Sequence, residues 1–542
     1  MIKEINGAVY RDLVVNGAAS IELQKEAINE LNVFPVPDGD TGTNMSLTMS
    51  TCGTELVKNH ATDSVGKAAD VTASALLRSA RGNSGVILSL LFRGMAKTFK
   101  GLDCVNTRVF AEALGNGVAA AYKAVMKPTE GTILTVSRLM AEAAAEIAET
   151  EDDFESFFEK VIAVGEEALG ETINQNPVLK KAGVIDAGGK GYICIFSGML
   201  LALRGEMLQV ETSGDEGSMD KDVFSVFDTE DIEFAYDTVY IVRKTNDKPL
   251  ELLRAYLCSI GDSLVISEDD EVFKVHVHTN IPGEALTESA KYGTLETAKI
   301  ENMRTQHDEL VEEKAAEQKT AKPEKKYGVV AVCAGAGLRD AFIELGVDGI
   351  ITGGQTMNPS TEDILKQIEK TPAEIVFVLP NNKNIIMAAQ QCVPLSEKKV
   401  IVIETKTVPQ GISAMYAFDD SLGEDELASA MAESAGNVHT VQITYAARDS
   451  EFDGKSIKSG EYLALLEGAL IANESDFSVL LSKIADSVRG FDPELITLFY
   501  GEDVDEDAAQ ASADRLALAF PDAEITLVSG GQPVYYYMIA VE

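Results

Sequence analysis

The sequence has few basic residues for its length. Its 542 residues include 46 Lys and Arg against 87 Asp and Glu, which gives a formal net charge of -41. Nucleic-acid binding and attachment to anionic membranes both gain affinity from Lys and Arg placed near phosphate groups. We therefore expect no nucleic-acid partner.

Long apolar runs are also lacking. The longest dense apolar stretches, residues 85–92 and 198–203, fall well short of the roughly 18 residues that a membrane-spanning helix needs. The opening residues lack the basic and then apolar pattern of a signal peptide. These absences predict a cytoplasmic protein without an integral membrane segment.

The six cysteines form no Cys-x-x-Cys motif, and their spacing does not indicate a disulfide framework. The sequence also lacks the GxxxxGK[ST] phosphate-binding loop and a strand-linked GxGxxG. We therefore expect buried, reduced thiols, and a Walker-type or Rossmann site is disfavoured.

Apolar spacing divides the chain into regions of different fold class. Apolar residues at three- and four-residue intervals predict an all-α helical domain over 1–205. Alternating residues predict strands, and hence a small α+β domain, over 231–306. Uninterrupted apolar runs that alternate with helices predict an α/β domain over 327–542, with a parallel sheet in its first part, up to residue 405, and a further α/β segment from about Glu424. Acidic residues 206–230 and charged residues 307–326 are predicted linkers.

One loop of the helical region carries two closely spaced carboxylates. In the segment PDGDTGTNM, Asp38 and Asp40 are separated by Gly39, which permits unusual backbone conformations. Mg²⁺ is usually bound by one or two carboxylates together with substrate phosphates. A helix that begins near Thr41 would direct its free N–H groups to the same point. An ordinary Asp-Gly turn followed by a helix cap is the alternative, and these residues alone do not decide between the two.

Three more glycine-containing loops connect the predicted helices. They are ARGNSG, KPTEGT and DAGGKG, which cover residues 80–85, 127–132 and 186–191. Glycine exposes backbone N–H groups that suit phosphate oxygens. Each loop taken singly is better explained as a helix cap or a tight turn.

The order of these motifs resembles the nucleotide-binding L subunit of dihydroxyacetone kinase, and more closely the ATP-binding subunit of bacterial fatty acid kinase. The similarity runs through PDGDTGTNM, ARGNSGVILS, KPTEGTILTV and DAGGKG. It continues through VHVHTNIPG, ENMRTQH, GGQTMNPSTEDI, LPNNKNI, KTVPQGISA and GGQPVYYYMIAVE. The motifs keep the family's domain order from residue 1 to 542.

The resemblance implies a helical barrel that holds ATP and Mg²⁺. Asp38 and Asp40 would coordinate the metal, while the third aspartate of the dihydroxyacetone kinase subunit has only Asn32 nearby as a counterpart. Water or a phosphate oxygen could also fill the third position. The residues implied to lie in the nucleotide-binding loops are Thr43, Asn44, Gly82, Asn83, Ser84, Gly85, Thr132 and Asp186.

The middle domain contains a His-x-His pair on a predicted strand. His276 and His278 face the same side of that strand, and two such imidazoles can bind one zinc ion. By resemblance, a cysteine completes a zinc site in this family, and Asp237 stands in its place here. Two ordinary strand histidines are the alternative. The sequence leaves Zn²⁺ binding open.

The resemblance implies phosphorylation of a fatty acid that a separate carrier protein presents, giving acyl phosphate for phospholipid synthesis. It also implies that the α/β domain resembles the fatty-acid carrier fold and docks the carrier. A dihydroxyacetone-type kinase of a small polyol and a nucleotide-sensing scaffold without turnover are the alternatives. The sequence does not fix the oligomeric state, and a homodimer is among the states it allows.

Overall fold

The computed structural model describes residues 1–32, 39–58, 64–125, 128–210, 236–246, 248–268, 272–302, 321–354, 357–452 and 455–542. The chain divides into two compact units. One unit combines residues 1–210 with residues 321–542, and the other consists of residues 211–320. Both predicted linkers, 206–230 and 307–326, fall largely outside the described residues.

The N-terminal part of the first unit is helical, as its apolar spacing predicts. Its helices are α1 (Gly7–Asn29), α2 (Thr41–Lys58), α3 (Val65–Ser79), α4 (Gly82–Phe99), α5 (Thr107–Ala124), α6 (Ile133–Ile147), α7 (Phe154–Gln175), α8 (Pro177–Ala182) and α9 (Ala187–Leu203). A two-residue pairing of β1 (Ile5–Asn6) with β2 (Cys104–Val105) joins α1 to the start of α5. None of the helices that the structure describes is long and apolar enough to cross a bilayer.

Helix α1 begins at Gly7, whereas the apolar spacing of the sequence predicts a helix only from Gly17 to Leu31. The side chain of Asn6 accepts a hydrogen bond from the backbone N–H of Val9 and so caps the helix. Gly17 lies inside α1, where a Cβ atom would come within 3.0 Å of Ile195 on α9. The glycine therefore permits close packing of two helices and does not mark a helix end.

The α/β part begins with a four-stranded parallel sheet in the order β10-β9-β7-β8, which confirms the prediction for this region. Its strands are β7 (Lys325–Cys333), β8 (Gly349–Thr352), β9 (Ala373–Leu379) and β10 (Lys399–Val402). The helices are α12 (Ala336–Glu344), α13 (Thr361–Lys370), α14 (Ile386–Cys392), α15 (Val408–Tyr416) and α16 (Glu424–Gly436).

The rest of the α/β part departs from a parallel sheet. Six strands form a mixed sheet in the order β15-β14-β11-β18-β16-β17, in which only β16 and β17 pair in parallel. They are β11 (His439–Tyr445), β14 (Tyr462–Leu466), β15 (Ala469–Glu474), β16 (Leu495–Tyr500), β17 (Glu524–Ser529) and β18 (Tyr537–Val541). A hairpin of β12 (Ser450–Phe452) and β13 (Lys455–Ile457) precedes β14, and helices α17 (Phe477–Val488) and α18 (Glu506–Ala519) complete the sheet's connections.

A single apolar core joins the helical part to one face of the parallel sheet. Buried residues of α3 and α4 belong to the same cluster as Val330 of β7, Ile364 of α13 and Ala388 of α14. Because water is excluded from this shared core, the two parts are held together by apolar burial. The loops between α3 and α4 and between β8 and α13 meet beside it.

The second unit is the predicted small α+β domain. Its antiparallel sheet has the order β4-β5-β3-β6, with β3 (Tyr236–Lys244), β4 (Gly261–Glu268), β5 (Val272–Thr279) and β6 (Gly293–Asn302). Helices α10 (Leu250–Ile260) and α11 (Pro282–Ser289) accompany this sheet. Strand β6, which the sequence pattern did not predict, lies at an edge of the sheet.

Candidate functional site

Helix α2 begins immediately after Asp40. The side chain of Asp40 is 6% exposed, and its main-chain carbonyl accepts the N–H of Asn44 at 2.7 Å. Thr43 is tied to the end of α1, because its N–H donates to Asn29 Oδ1 at 3.1 Å and its hydroxyl accepts from Asn29 Nδ2 at 2.9 Å. The start of α2 is thus held by its neighbour, and Asp40 lies at the positive end of the helix.

The ARGNSG loop packs directly against this point. Gly82 has φ +56, and a Cβ atom there would come within 2.7 Å of Asn44 Nδ2. A Cβ atom at Gly85 would come within 2.5 Å of Thr48 Oγ1. Thr48 Oγ1 also accepts the backbone N–H of Arg81 at 3.3 Å. These glycines allow the start of α4 to lie against the start of α2.

Asp186, which caps α9, joins the DAGGKG loop to the KPTEGT loop that precedes α6. Its Oδ2 accepts the N–H of Gly189 at 2.7 Å, and its carboxylate also accepts the N–H of Ile133 at the start of α6. Thr132, predicted as a nucleotide contact, caps α6 through the N–H of Leu134. Enclosure by protein raises the pKa of Asp186 to about 6, against the lowering effect of these two backbone donors.

The two pairs of loops meet at one end of the helical part. Gly191, in the first turn of α9, abuts Met45 in the first turn of α2, and a Cβ atom at Gly191 would come within 2.6 Å of Met45 Sδ. The starts of α4, α2, α9 and α6 therefore follow one another around a common region. Helix N-termini with free N–H groups favour bound anions, and phosphate above all.

The carboxylate of Asp40 lies within this region and is poorly solvated. Burial raises its pKa to about 6, although hydrogen bonds from the side chains of Asn44 and Asn358 oppose the shift. A nearby cation would favour the ionised form. A buried carboxylate at a helix N-terminus fits a hard divalent cation such as Mg²⁺ together with phosphate oxygens.

The α/β part contributes a residue that the sequence did not predict. Asn358 is fully buried, and its Nδ2 donates to Asp40 Oδ2 at 2.5 Å. Arg81 Nη1 donates to the main-chain carbonyl of Asn358 at 2.8 Å, and Arg81 Nη2 lies 3.5 Å from Asp363 Oδ2. The GGQTMNPST loop follows a predicted strand, where α/β sheets place their ligand sites, although a polar loop that caps a helix explains its residues equally well. No sequence signal showed that it faces Asp40.

The LPNNKN loop, to which the same two interpretations apply, also reaches the helical part. Asn83 Nδ2 donates to Asn384 Oδ1 at 3.3 Å. Asn382 and its neighbours line a separate cavity of about 30 Å³ at the carboxyl ends of β7 and β9, together with Cys333, Gln442 and Gln532. A cavity of this size has room for water and is far below the roughly 300–1,000 Å³ of typical ligand pockets.

Most of the predicted loop residues are thus brought together. Asp40, Asn44, Gly82, Asn83 and Gly85 lie at the starts of α2 and α4, with Ser84 in the first turn of α4. Thr132 and Asp186 lie at the starts of α6 and α9. Asp38 lies outside the described residues. The assignment of nucleotide and metal contacts to these side chains remains a prediction.

The predicted zinc ligands belong to adjacent strands of the second unit. The register pairs Asp237 of β3 with His278 of β5, and His276 lies two residues along β5. The side chains of all three lie outside the described part of the structure. Among the described residues, no group of three or more His, Cys, Asp or Glu side chains could hold a metal ion. Zinc therefore stays a prediction.

Comparisons with protein families give matches over most of the chain. A DAK2 domain matches residues 35–201, the middle domain of the FakA-like fatty acid kinase family matches residues 233–310, and the C-terminal domain of the same family matches residues 328–542. The chain belongs to the FakA-like fatty acid kinase family. The family assignment confirms the resemblance and the three-domain fold class of an all-α, an α+β and an α/β domain.

Full-length relatives of this FakA-like chain occur in Staphylococcus aureus. The uncharacterized proteins SAR1202 of strain MRSA252 and SAUSA300_1119 of strain USA300 are each 40% identical over 556 residues, with 100% of both chains covered. Similar solved structures include the DegV family protein Cg2579 of Corynebacterium glutamicum, at 13% identity and TM-score 0.30. The Streptococcus pneumoniae Fatty Acid Kinase (Fak) B3 protein loaded with linoleic acid is 12% identical with TM-score 0.29. Each match covers 40% of this chain, and 96% and 99% of the respective structure.

Proposed function

We propose that this protein transfers the γ-phosphoryl group of ATP to the carboxylate of a fatty acid presented by a separate fatty-acid-binding carrier protein. The product is an acyl phosphate, which we assign to phospholipid synthesis in the cytoplasm. The observation that carries the proposal is the meeting of the starts of α2 and α4 at the buried carboxylate of Asp40, with the start of α9 packed beside α2. Membership of the FakA-like fatty acid kinase family supports it.

The residues of this site suit phosphoryl transfer by positioning and charge stabilisation. The N–H groups at the starts of the helices would donate to phosphate oxygens, and Asp40, together with Asp38, would hold Mg²⁺. When bound, Mg²⁺ would neutralise charge on the phosphates. Gly82 and Gly85 let the two helix starts approach closely enough to share one ligand.

A carboxylate acceptor removes the need for a general base. A carboxyl group has a reference pKa near 4 and is ionised at neutral pH. The one histidine side chain within the described residues, His439, stacks on Phe491 in the mixed sheet of the α/β part. The proposed reaction therefore needs no proton acceptor among the side chains of the site.

In this proposal, the carrier protein binds the fatty acyl chain. The cavity of about 30 Å³ at the carboxyl ends of β7 and β9 is too small for a fatty acyl chain. We assign the acyl chain to a separate protein and the docking of that protein to the α/β domain. Because GGQTMNPST and LPNNKN lie next to the ARGNSG loop, a carrier docked on this domain would be near the phosphate region.

The test is an acyl-phosphate assay with ATP, Mg²⁺ and the Streptococcus pneumoniae Fak B3 protein loaded with linoleic acid as the carrier. Trapping with hydroxylamine should give the hydroxamate of linoleic acid only when this protein, ATP and the loaded carrier are all present. ADP release with dihydroxyacetone as acceptor, and none with loaded carriers, would favour the polyol kinase. Nucleotide binding without turnover on any acceptor would favour the sensing scaffold.

A further inference from the structure

Asn358 belongs to the α/β domain, but its side chain contacts Asp40, the candidate metal ligand of the helical domain. Asn358 and Asp40 are 318 residues apart in the chain, yet Nδ2 of the first lies 2.5 Å from Oδ2 of the second. Both side chains are buried, at 0% and 6% exposure. Gly82 borders the same point, since a Cβ atom there would lie 3.5 Å from Asn358 Nδ2 and 2.7 Å from Asn44 Nδ2.

The loop that carries Asn358 is held firmly in place. Its carbonyl accepts from Arg81, Ser360 forms an isolated bridge with Arg81, and the N–H of Thr361 donates to the carbonyl of Ala80 at 3.2 Å. Ser360 and Asp363 form a reciprocal capping box at the start of α13. These bonds fix the main chain at Asn358 and at the residues that follow it.

One end of this amide has no partner. Asn358 Oδ1 is buried and makes no hydrogen bond, and the same is true of Asn83 Oδ1 and Thr361 Oγ1 at the same junction. A buried acceptor without a partner is unfavourable. Half a turn of the amide would place Oδ1 where Nδ2 now lies, next to Asp40 Oδ2. Two oxygens at that separation repel each other unless a cation lies between them.

We propose that Asn358 supplies its carboxamide oxygen to the divalent cation that Asp40 holds, so that the α/β domain completes the metal site. Asn carbonyl oxygens are normal ligands of hard divalent cations. This assignment gives the carboxamide oxygen a partner, and it provides a further ligand at a position for which the resemblance offers only Asn32 nearby. It rests on the proposed function, because it presupposes a cation at Asp40.

The test measures Mn²⁺ binding to the full-length protein by the loss of the free-ion electron paramagnetic resonance signal, with and without ADP. Asn358→Leu removes both polar ends of the amide at similar volume, and Asn358→Asp keeps an oxygen while removing the N–H donor. Thr361→Val is the matched control, since Thr361 is buried on the same loop. Melting of each metal-free variant shows whether it is folded.

We expect Asn358→Leu to weaken Mn²⁺ binding by at least about tenfold. Asn358→Asp should bind Mn²⁺ at least as tightly as the wild type, and Thr361→Val should match the wild type. Unchanged affinity in Asn358→Leu overturns the inference. An equal loss in Asn358→Leu and Asn358→Asp also overturns it, because the amide would then act only as a donor to Asp40.

Two further outcomes separate this inference from the proposed function. If the wild type forms acyl phosphate and binds Mn²⁺ while Asn358→Leu binds it equally well, only the inference fails. If the wild type binds no Mn²⁺, the metal site fails and the inference with it. Should Asn358→Leu not fold, Asn358→Asp and Asn358→Gln still test the inference, because weaker Mn²⁺ binding in the Asp variant contradicts it.

Discussion

The guanidinium group of Arg81 donates to the main-chain carbonyl of Asn358 across 277 residues of sequence. Arg81 also lies beside Asp363 at the start of α13 and is only about one-quarter exposed, at 24%. One side chain at the start of α4 thus connects two elements of the α/β part to the helical part.

Replacing Arg81 should loosen this connection. We expect Arg81→Ala to destabilise the first unit by about 1.5–3 kcal/mol, the usual range for a hydrogen bond to a charged group. Amide hydrogen exchange should rise at Thr361, whose N–H donates to the main-chain carbonyl of Ala80 across the junction. The control is Arg339→Ala, because Arg339 is exposed and pairs only locally with Asp340. Equal exchange in both variants would contradict the connection.

Replacing Asp40 with a neutral residue should reduce activity without reducing the stability of the fold. Asp40→Asn keeps the shape of the side chain and removes the charge that burial disfavours. We expect acyl-phosphate formation to fall by at least about 100-fold, as for loss of a group that stabilises the transferring phosphoryl. The melting temperature should stay equal or rise. Asp38→Asn should show the same loss of turnover. Near-normal turnover of either variant at saturating Mg²⁺ would refute the metal assignment.

A side chain at Gly82 should disturb the contact between the two helix starts. Gly82→Ala forces a non-glycine residue into a left-handed conformation, which costs about 1–2 kcal/mol, and it displaces Asn44. We expect weaker ADP binding by calorimetry along with lower stability. The matched control is Gly115→Ala in α5, where no atom lies within 4 Å of the added carbon. That change should be neutral or stabilise the helix by about 0.5–1 kcal/mol.

The helical part and its loops could be predicted because local chemistry determines them. Thr132 and Asp186 each cap a helix through a side-chain oxygen, and such signals can be read from the sequence. The role of Asn358 could not be predicted, because it depends on which face of the α/β part packs against α3 and α4. That choice is made by buried apolar contacts between residues far apart in the chain.

The sequence pattern also could not predict whether neighbouring strands run parallel or antiparallel. The five residues of β18 are all buried and read as a short apolar run, which fits a parallel or an antiparallel strand equally well. In the structure β18 pairs antiparallel with both β11 and β16. Strand β6 was not predicted because it lies at the edge of its sheet and contains polar residues such as Thr294 and Glu296. It therefore lacks a strong apolar signal.

The stability of the helical part should depend on pH through Asp186. Its pKa is raised from 3.8 to about 6, so the folded protein binds more protons than the unfolded chain between these values. Stability from this group therefore falls as the pH rises from about 4 to about 6. Asp186→Asn keeps the capping oxygen and removes the titration.

We expect the melting temperature of Asp186→Asn, relative to the wild type, to increase between pH 4 and pH 7. The change should be at least about 2–4 °C, the shift that 1 kcal/mol produces in a domain of 150–250 residues. A constant difference across this pH range would show that the carboxyl group titrates at its ordinary pKa. Asp505→Asn, at an exposed helix cap, is the control and should give a flat difference.

Metal analysis of the purified protein would show whether the second unit binds zinc. A site made by Asp237, His276 and His278 predicts about one zinc per chain, with water as a further ligand. Asp237→Cys should then hold zinc more firmly against a chelator, since thiolate is the softer ligand. Ordinary strand histidines predict zinc-free protein whose melting is unchanged by His276→Ala. Nucleotide binding should be unaffected in either case.

The first unit is built from two stretches of chain that are separated by residues 211–320. During synthesis at about 5–20 residues per second, the helical part leaves the ribosome at least about 5–20 seconds before the α/β part begins to follow. Until then, the apolar surface of α3 and α4 that joins the shared core has no covering partner. The residues at the starts of α2 and α4 are synthesised early, whereas Asn358 is synthesised only after about two thirds of the chain. A nascent chain therefore carries an incomplete site for most of its synthesis.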